Sequence, residues 1–410
     1  MKKRCGESIK KVNLTGAGME ISSIMFALLR SGIQGTALGE EVKNFITPEG
    51  LPALFALSKK HDLAHLVGDV LDKNGLLPDG SEQRKRFLRE RNMAVYRYEQ
   101  QQYDFEQICA TLEDAQIPFL PLKGSILRTY YPEPWMRTSC DIDILVQTDV
   151  LDRAAQILCD KLGYTRAEQP GSNELSLHTQ SGVHLELHFD LTDGDIYEYG
   201  YEVLSKMLDY AQPTEGHEYH LQINDDVFYF YHIAHMAKHI ELGGCGVRSF
   251  LDLWILRNRA DGARRIGEKL LRDSNIDTFA EVCERLSERW FGDVPDTEDE
   301  RGRKMETYVL TGGVYGTLEN HRNVQQAKKG GKVRYFLSKV FVSNKELKVR
   351  YPILRKRPWL IPFYHLKRFF RLLTNGTTAK KSVKEFARLS AVTQDEQQGW
   401  AQFLQDVGLK

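Results

Sequence analysis

Three carboxylates stand out by type and spacing. In Cys140–Gln147, CDIDILVQ, polar and apolar residues alternate, so a strand places Asp141, Asp143 and Leu145 on one face and Ile142, Ile144 and Val146 on the other. The two aspartates then lie ~7 Å apart along the chain. Unit charges 4 Å apart in an effective dielectric of 20 interact by about 4 kcal/mol. A carboxylate cluster of this kind must protonate, stay in water or bind a cation. Magnesium takes one or two carboxylates together with substrate phosphates, which is the arrangement of two-metal phosphoryl chemistry. A third acid is offered by VHLELHFDL, where Glu186 alternates with His184 and His188 against Leu185, Leu187 and Phe189. Asp190 is its rival, on the opposite face of a regular strand.

Upstream, Lys123-Gly124-Ser125 sits where a short apolar strand, IPFLPLKG, gives way to a helix. Glycine lets a phosphate approach the backbone, the helix start offers free N–H groups, and Lys and Ser add a cation and a hydroxyl. Arg137, Thr138 and Ser139 lead into the aspartate strand and extend the phosphate-binding set, with His188 beside Glu186.

These residues need a scaffold, and the chain supplies one. From Met19 to Tyr103 apolar residues recur at three- and four-residue steps, as helices require. The texture changes near Gln116. A strand, a helix from Ser125 to Tyr131, the aspartate strand, a helix from Val150 to Leu162 capped by Asp149 and closed by Gly163, and strands at 175–179 and 183–189 follow. After Asp195 the helical pattern returns, most clearly over Asp225–Leu242 and Arg248–Asn258. The expected fold class is α+β: a small mixed sheet with helices, flanked by N- and C-terminal helical regions. The expected domains are 1–107 (helical), 108–200 (the core), 201–327 (helical) and 328–410, a basic tail packing on the body.

The order strand, Gly-Ser turn, helix, h-D-h-D-h, then h-E-h resembles the polymerase-beta-type nucleotidyltransferase superfamily. More closely, PLKGSIL…YYP…RTSCDIDILV…VHLELHF is similar to the bacterial uncharacterised nucleotidyltransferase family, whose members often lie near surface-polysaccharide genes. The resemblance implies a nucleotidyltransferase fold at 108–200. It implies Asp141 and Asp143 as the metal pair, Glu186 as the third, catalytic acid, and Gly124 and Ser125 as the phosphate turn. It also implies magnesium, with manganese as a substitute, and a nucleoside triphosphate such as ATP as donor to an acceptor of unknown identity. Two positions depart from the pattern. Cys140 stands where a small residue, usually Gly, precedes the aspartates, and the gap from Gly124 to Asp141 is long.

The helix YFYHIAHMAKHIELGG gathers His232, His235 and His239 on one stripe with Phe228 and Leu242. A zinc site and a packing stripe both fit that pattern. The family resemblance adds a third reading, in which these histidines, with Arg248 and Asp252 of the next helix, line the cleft and hold a base, a sugar or the acceptor.

Composition narrows the classes. With 41% hydrophobic and 27% charged residues the chain reads as an ordinary globular protein, and a net charge of zero points to no polyanionic partner. Six scattered cysteines without a C-x-x-C pair suggest a reduced, cytoplasmic protein. The basic start lacks the long apolar run of a signal peptide. The tail segment RYPILRKRPWLIPFYHLKRFFRLL interleaves aromatic and basic residues, with a short helix expected over Phe363–Leu373. Packing on the body, contact with a membrane surface and contact with nucleic acid are its readings, in that order. Besides an enzyme, a toxin modifying tRNA or protein and a non-catalytic nucleotide-binding module fit the same motifs.

Overall fold

The computed structural model describes residues 20–167, 173–192, 200–259, 265–292, 300–314, 316–328, 353–374 and 394–409, and the single residues 344, 347 and 351. The basic N-terminal stretch, the boundary expected near Asp195 and much of the basic tail lie outside the described residues.

The chain divides into two compact units, Met1–Met93 with Trp290–Gly292, and the remainder. In the first, α1 (Ile21–Gln34) buries Ile24, Met25, Leu28 and Leu29, a three-to-four spacing that forms one apolar face. It packs on α3 (Leu51–Lys60) and α4 (Ala64–Lys73), beyond the short α2 (Glu40–Phe45). Phe26 stacks on Trp290 with ring centroids 4.5 Å apart.

The second unit begins within α5 (Glu82–Asp114) and contains the sheet. Strands β1 (Phe119–Pro121), β2 (Ile142–Val146), β3 (Thr165–Arg166), β4 (Glu174–His178) and β5 (His184–His188) lie in the order β1-β2-β5-β4-β3. Within this sheet the β2–β5 pair is parallel, and the β1–β2, β3–β4 and β4–β5 pairs are antiparallel. The α+β architecture is therefore as expected. Ile142, Ile144, Val146, Leu175, Leu177, Leu185 and Leu187 form one face of the sheet. They bury against Ile108 and Leu112 of α5 and Ala154, Ala155 and Leu158 of α7 (Leu151–Leu162), with the short α6 (Gly124–Leu127) following β1. Each such fully buried aliphatic side chain contributes ~1.5–3 kcal/mol. Alternation then sends the side chains of Asp143, Glu174, Ser176, His184, Glu186 and His188 to the opposite face.

One local expectation is corrected. Asp149 does not cap α7: the N-cap is Val150, without a side-chain cap bond. The chain first makes a turn closed by Val150 N–H to Gln147 carbonyl, which moves the helix start past Asp149. Gly163 does close the helix, at φ 70°.

Beyond the sheet come α8 (Tyr201–Leu204), a two-stranded ribbon of β6 (Gln212–Pro213) and β7 (Leu221–Gln222), and then helices. Asn224 caps α9 (Asp225–Glu241) by accepting the Val227 N–H at 2.9 Å, and α10 (Val247–Arg259) packs beside it. The tail divides into parts of different character. The terminal helix Gln394–Asp406 packs on the helix Glu300–Gly312 through Phe403 on Tyr308 and a 2.8 Å Lys304–Asp406 ion pair. The helix Ile361–Thr374 packs through Tyr364 on Tyr351, beside buried Leu347 and Leu354. It leaves Phe363 64% and Leu366 54% exposed, with Trp359 just before it 66% exposed.

Candidate active site

The polar face of the sheet and helices α9 and α10 enclose a cavity of about 490 Å³. Register accounts for its acidic floor. Asp143 stands opposite Glu186 across the parallel β2–β5 pair, and Glu186 stands opposite Ser176 on β4. Asp141 lies one residue before β2, partly buried where Asp143 is 2% exposed.

The charge of Asp143 is met from within the protein. Lys123 Nζ and His188 Nε2 approach the same oxygen, Asp143 Oδ1, at 2.7 and 2.8 Å. His188 also lies 3.4 Å from Glu186. Burial alone would raise the Asp143 pKa, but Lys123 and His188 outweigh it and hold the carboxyl far below the usual range. Burial opposes the charged forms of Lys123 and His188 too, and Asp143 outweighs it in both, so both pKa values rise. Asp141 goes the other way, raised by burial and then by its neighbour Asp143. The acidic cluster is thus partly neutralised by Lys123 and His188, which the sequence assigned to the nucleotide and not to Asp143.

Lys123 adopts φ 46°, ψ −116°, a region costly for a residue with a Cβ, of order 1–3 kcal/mol. The surroundings fix it there. Leu122 N–H bonds the Asp143 carbonyl at 3.0 Å, and a Cβ on the next residue, Gly124, would sit 2.9 Å from Ser139 Cβ. Only glycine permits that close approach. The same junction is held by residues the motif reading passed over. Buried Arg128 bonds the Gly124 carbonyl (3.1 Å), Ser139 Oγ (2.8 Å) and Gln101 Oε1 (3.0 Å), and Gln101 returns to the Ser139 carbonyl. Burial and then Arg137 lower the Arg128 pKa to about 10, so it stays charged.

Lys123, Gly124, Arg137, Ser139, Asp141, Asp143, His188, His232, His235, His239, Arg248 and Asp252 all line the cavity. Ser125, half-buried on a helix of only four residues, and Glu186 are not among its lining residues. Arg137 and Asp252, assigned separately to nucleotide and acceptor, are partners: Arg137 Nε reaches Asp252 Oδ1 at 2.7 Å, and Tyr131 OH donates to the same oxygen at 2.7 Å. Burial would raise the Asp252 pKa, yet Arg137 keeps it lowered and ionised. Asp190 accepts both the N–H and the hydroxyl of Thr192, at 2.7 and 2.5 Å, and closes a turn.

The histidines of α9 have separate fates. His232 Nε2 lies 2.9 Å from the Ser249 carbonyl, which makes it the donor and ties α9 to α10. His235 and His239 meet edge to face, with centroids 4.4 Å apart. Burial, then nearby charged and imidazole groups, lowers both, His239 to about 4, so both are neutral at pH 7. Among the described residues, the groups of three with ligand atoms within 4.8 Å of one another are Asp141, His184, Glu186 and Asp143, Glu186, His188. The α9 histidines join neither, which leaves the zinc reading unsupported. The donor sets that do exist are rich in carboxylate oxygen and fit a divalent ion.

A family model described as Uncharacterised nucleotidyltransferase matches residues 47–292. The chain belongs to that family. Comparison with curated proteins and with solved structures gave no match. This nucleotidyltransferase family member carries its sheet and the α9–α10 wall within the matched span. Among the described residues, no helix is long and apolar enough to cross a membrane. Among the described residues, Cys109, Cys140, Cys159, Cys245 and Cys283 form no disulfide.

Proposed function

We propose that the protein transfers a nucleotidyl group from a nucleoside triphosphate to a hydroxyl or phosphate acceptor, with release of pyrophosphate. The observation that carries this reading is the Asp143–Glu186 pair on adjacent parallel strands, with Asp141 at the strand entry and a cavity that Asp141 and Asp143 line. Asp141, Asp143 and Glu186 would hold magnesium or manganese. Such ions supply positive charge against the phosphates and acidify an acceptor hydroxyl in a two-metal mechanism.

The protein's own groups have distinct parts. Lys123 is the mobile counterion: it rests on Asp143 and can turn to a phosphate oxygen as nucleotide enters, keeping the floor near neutrality. The Gly124 backbone, unhindered by a side chain, leaves room for the phosphates. Arg137 and Ser139 act mainly through the walls they brace, Arg137 against Asp252 and Ser139 against Arg128. His188 holds Asp143 and Glu186 in one orientation. Glu186 accepts the proton of the acceptor hydroxyl. Neutral His235 and His239, with Arg248, form the wall for a base, a sugar or the acceptor, since neutral imidazoles can donate and accept hydrogen bonds without repelling a cation. The test is incubation with each of the four triphosphates, divalent metal and cell extract. Metal-dependent pyrophosphate release with a labelled product is expected; none with any triphosphate would remove the transferase reading.

The exposed Trp359, Phe363 and Leu366 support a contact between the tail and an anionic membrane surface. They follow one another at four- and three-residue steps, and eight lysines and arginines with no acid occupy residues 348–374. This contact is independent of the active site.

A further inference from the structure

The carboxylate floor contains a nitrogen that oxygen-only metal chemistry does not use. His184 is on β5, two residues before Glu186, and its Nε2 is buried without a hydrogen-bond partner. That atom lies 3.9 Å from Glu186 Oε1 and belongs to the Asp141, His184, Glu186 group. The ring is held from behind: His178, its register partner on β4, stacks on it with centroids 4.5 Å apart and planes 15° apart. A buried imidazole nitrogen without a partner costs free energy, on the order of 1–3 kcal/mol, unless something else satisfies it. The opposing atoms here are carboxylate oxygens.

We infer that His184, Asp141 and Glu186 form a mixed nitrogen–oxygen site for a first-row divalent cation, manganese or zinc, in preference to magnesium. This rests on the nucleotidyltransferase reading of the same carboxylates and deepens it. Two ligand atoms each about 2.1 Å from one ion stand about 3–3.5 Å apart, so the 3.9 Å gap closes with a small side-chain rotation. Imidazole suits zinc and other first-row metals, whereas magnesium demands oxygen and keeps its waters. Glu186 belongs to both three-residue groups, so the two sides of the floor differ: Asp141 with His184 on one, Asp143 with His188 on the other. His188 is already engaged by Asp143 at 2.8 Å, which leaves His184 as the imidazole available to a metal.

The test uses manganese as the probe, bound to the full-length protein, with electron spin-echo modulation reading directly bound nitrogen. Wild type should show imidazole nitrogen coupling. His184→Gln should lose it and bind manganese ~10-fold or more weakly, with magnesium affinity changed much less. His184→Asp, which restores an oxygen ligand, should bind metal again with the preference moved toward magnesium. Absent coupling in wild type, or coupling undiminished in His184→Asp, overturns the inference; because the wild-type signal alone can decide against it, an unstable variant does not rescue it. Adding ATP to the same samples keeps the two claims apart. Metal-dependent ATP binding without nitrogen coupling removes His184 and keeps the transferase reading. Nitrogen coupling without ATP binding keeps the site and removes that reading.

Discussion

Lys123 Nζ lies 2.7 Å from Asp143 Oδ1, on a carboxylate only 2% exposed to solvent. The lysine reaches it from a backbone conformation that L residues seldom adopt, so the pair is a built feature of the floor. Unit charges this close, partly withdrawn from water, attract by several kcal/mol even after screening. The resting site is therefore charge-paired, and a metal entering it must compete with an internal cation. Lys123→Met should remove that competitor and tighten divalent metal binding to the nucleotide-free protein by several-fold, while weakening triphosphate binding. Calorimetry on the two ligands separately reads both effects; weaker metal binding in Lys123→Met would contradict the competition.

Acidification should weaken metal binding. Asp143 stays ionised, whereas the Asp141 pKa, raised by burial and by Asp143, stands at about 6. A metal ligand must be deprotonated, so binding expels the Asp141 proton below that value. Metal affinity should be nearly flat from pH 8 to 7 and fall about tenfold per pH unit below the Asp141 pKa. In Asp141→Asn, weaker at every pH, that slope should flatten. An equally steep slope in the variant would assign the proton to another group.

Glu186→Gln should separate chemistry from binding. Asp143 and the Gly124 turn remain, so triphosphate affinity should stay within a few-fold of wild type. Turnover should drop by roughly 100-fold or more, the scale of a lost general base. Steady-state kinetics beside a binding titration decide it. Full turnover would exclude Glu186 from the reaction, and a loss of affinity equal to the loss of turnover would make it a ligand for binding alone.

Asp252 behaves as a structural ion in this fold. It is 1% exposed and pairs with Arg137, 115 residues earlier. Asp252→Ala would take the carboxylate partner from a buried guanidinium, at a cost of ~3–5 kcal/mol. Its melting temperature should fall by several degrees, whereas Asp252→Ala with Arg137→Met should recover much of the loss. Thermal melts of the two single variants and the double variant measure the coupling. Additive losses would show that the pair does not act as a unit.

The polar and apolar faces of the core strands were legible in the sequence, because period-two alternation states which residues share a face. That Asp143 and Glu186 share one face, and Ile144 and Leu187 the other, follows from that alone once β2 and β5 are neighbours; the register that sets them opposite each other does not. The helices α9 and α10 were legible from the helical pattern of their residues. Contacts across elements were not. Nothing in the spacing of Lys123, Arg137 or Arg128 says that one would rest on Asp143, another on Asp252 and the third on Gln101 and Ser139, since those choices depend on which elements face each other. His184 was visible beside Glu186 as an alternating residue, but its unsatisfied nitrogen exists only in three dimensions. Asp149 shows the limit of local rules: a good capping residue went unused because the preceding turn started α7 later.

For the tail, sedimentation with phosphatidylcholine vesicles containing phosphatidylserine should carry the protein down, with weaker binding at high salt. Vesicles of phosphatidylcholine alone should not. Replacing Trp359, Phe363 and Leu366 together by Ala should abolish binding without lowering the melting temperature, because these side chains are more than half exposed. Unchanged sedimentation would return this face to another role.

The most direct test of the central claim is calorimetric titration of wild-type protein with each nucleoside triphosphate, with and without manganese or magnesium, beside Asp141→Asn. The cluster of Asp141, Asp143 and Glu186, the first two lining the cavity, predicts binding of at least one triphosphate that requires the metal, disappears on chelation and is lost in the variant. Triphosphate binding that persists unchanged in chelator and in Asp141→Asn would contradict it.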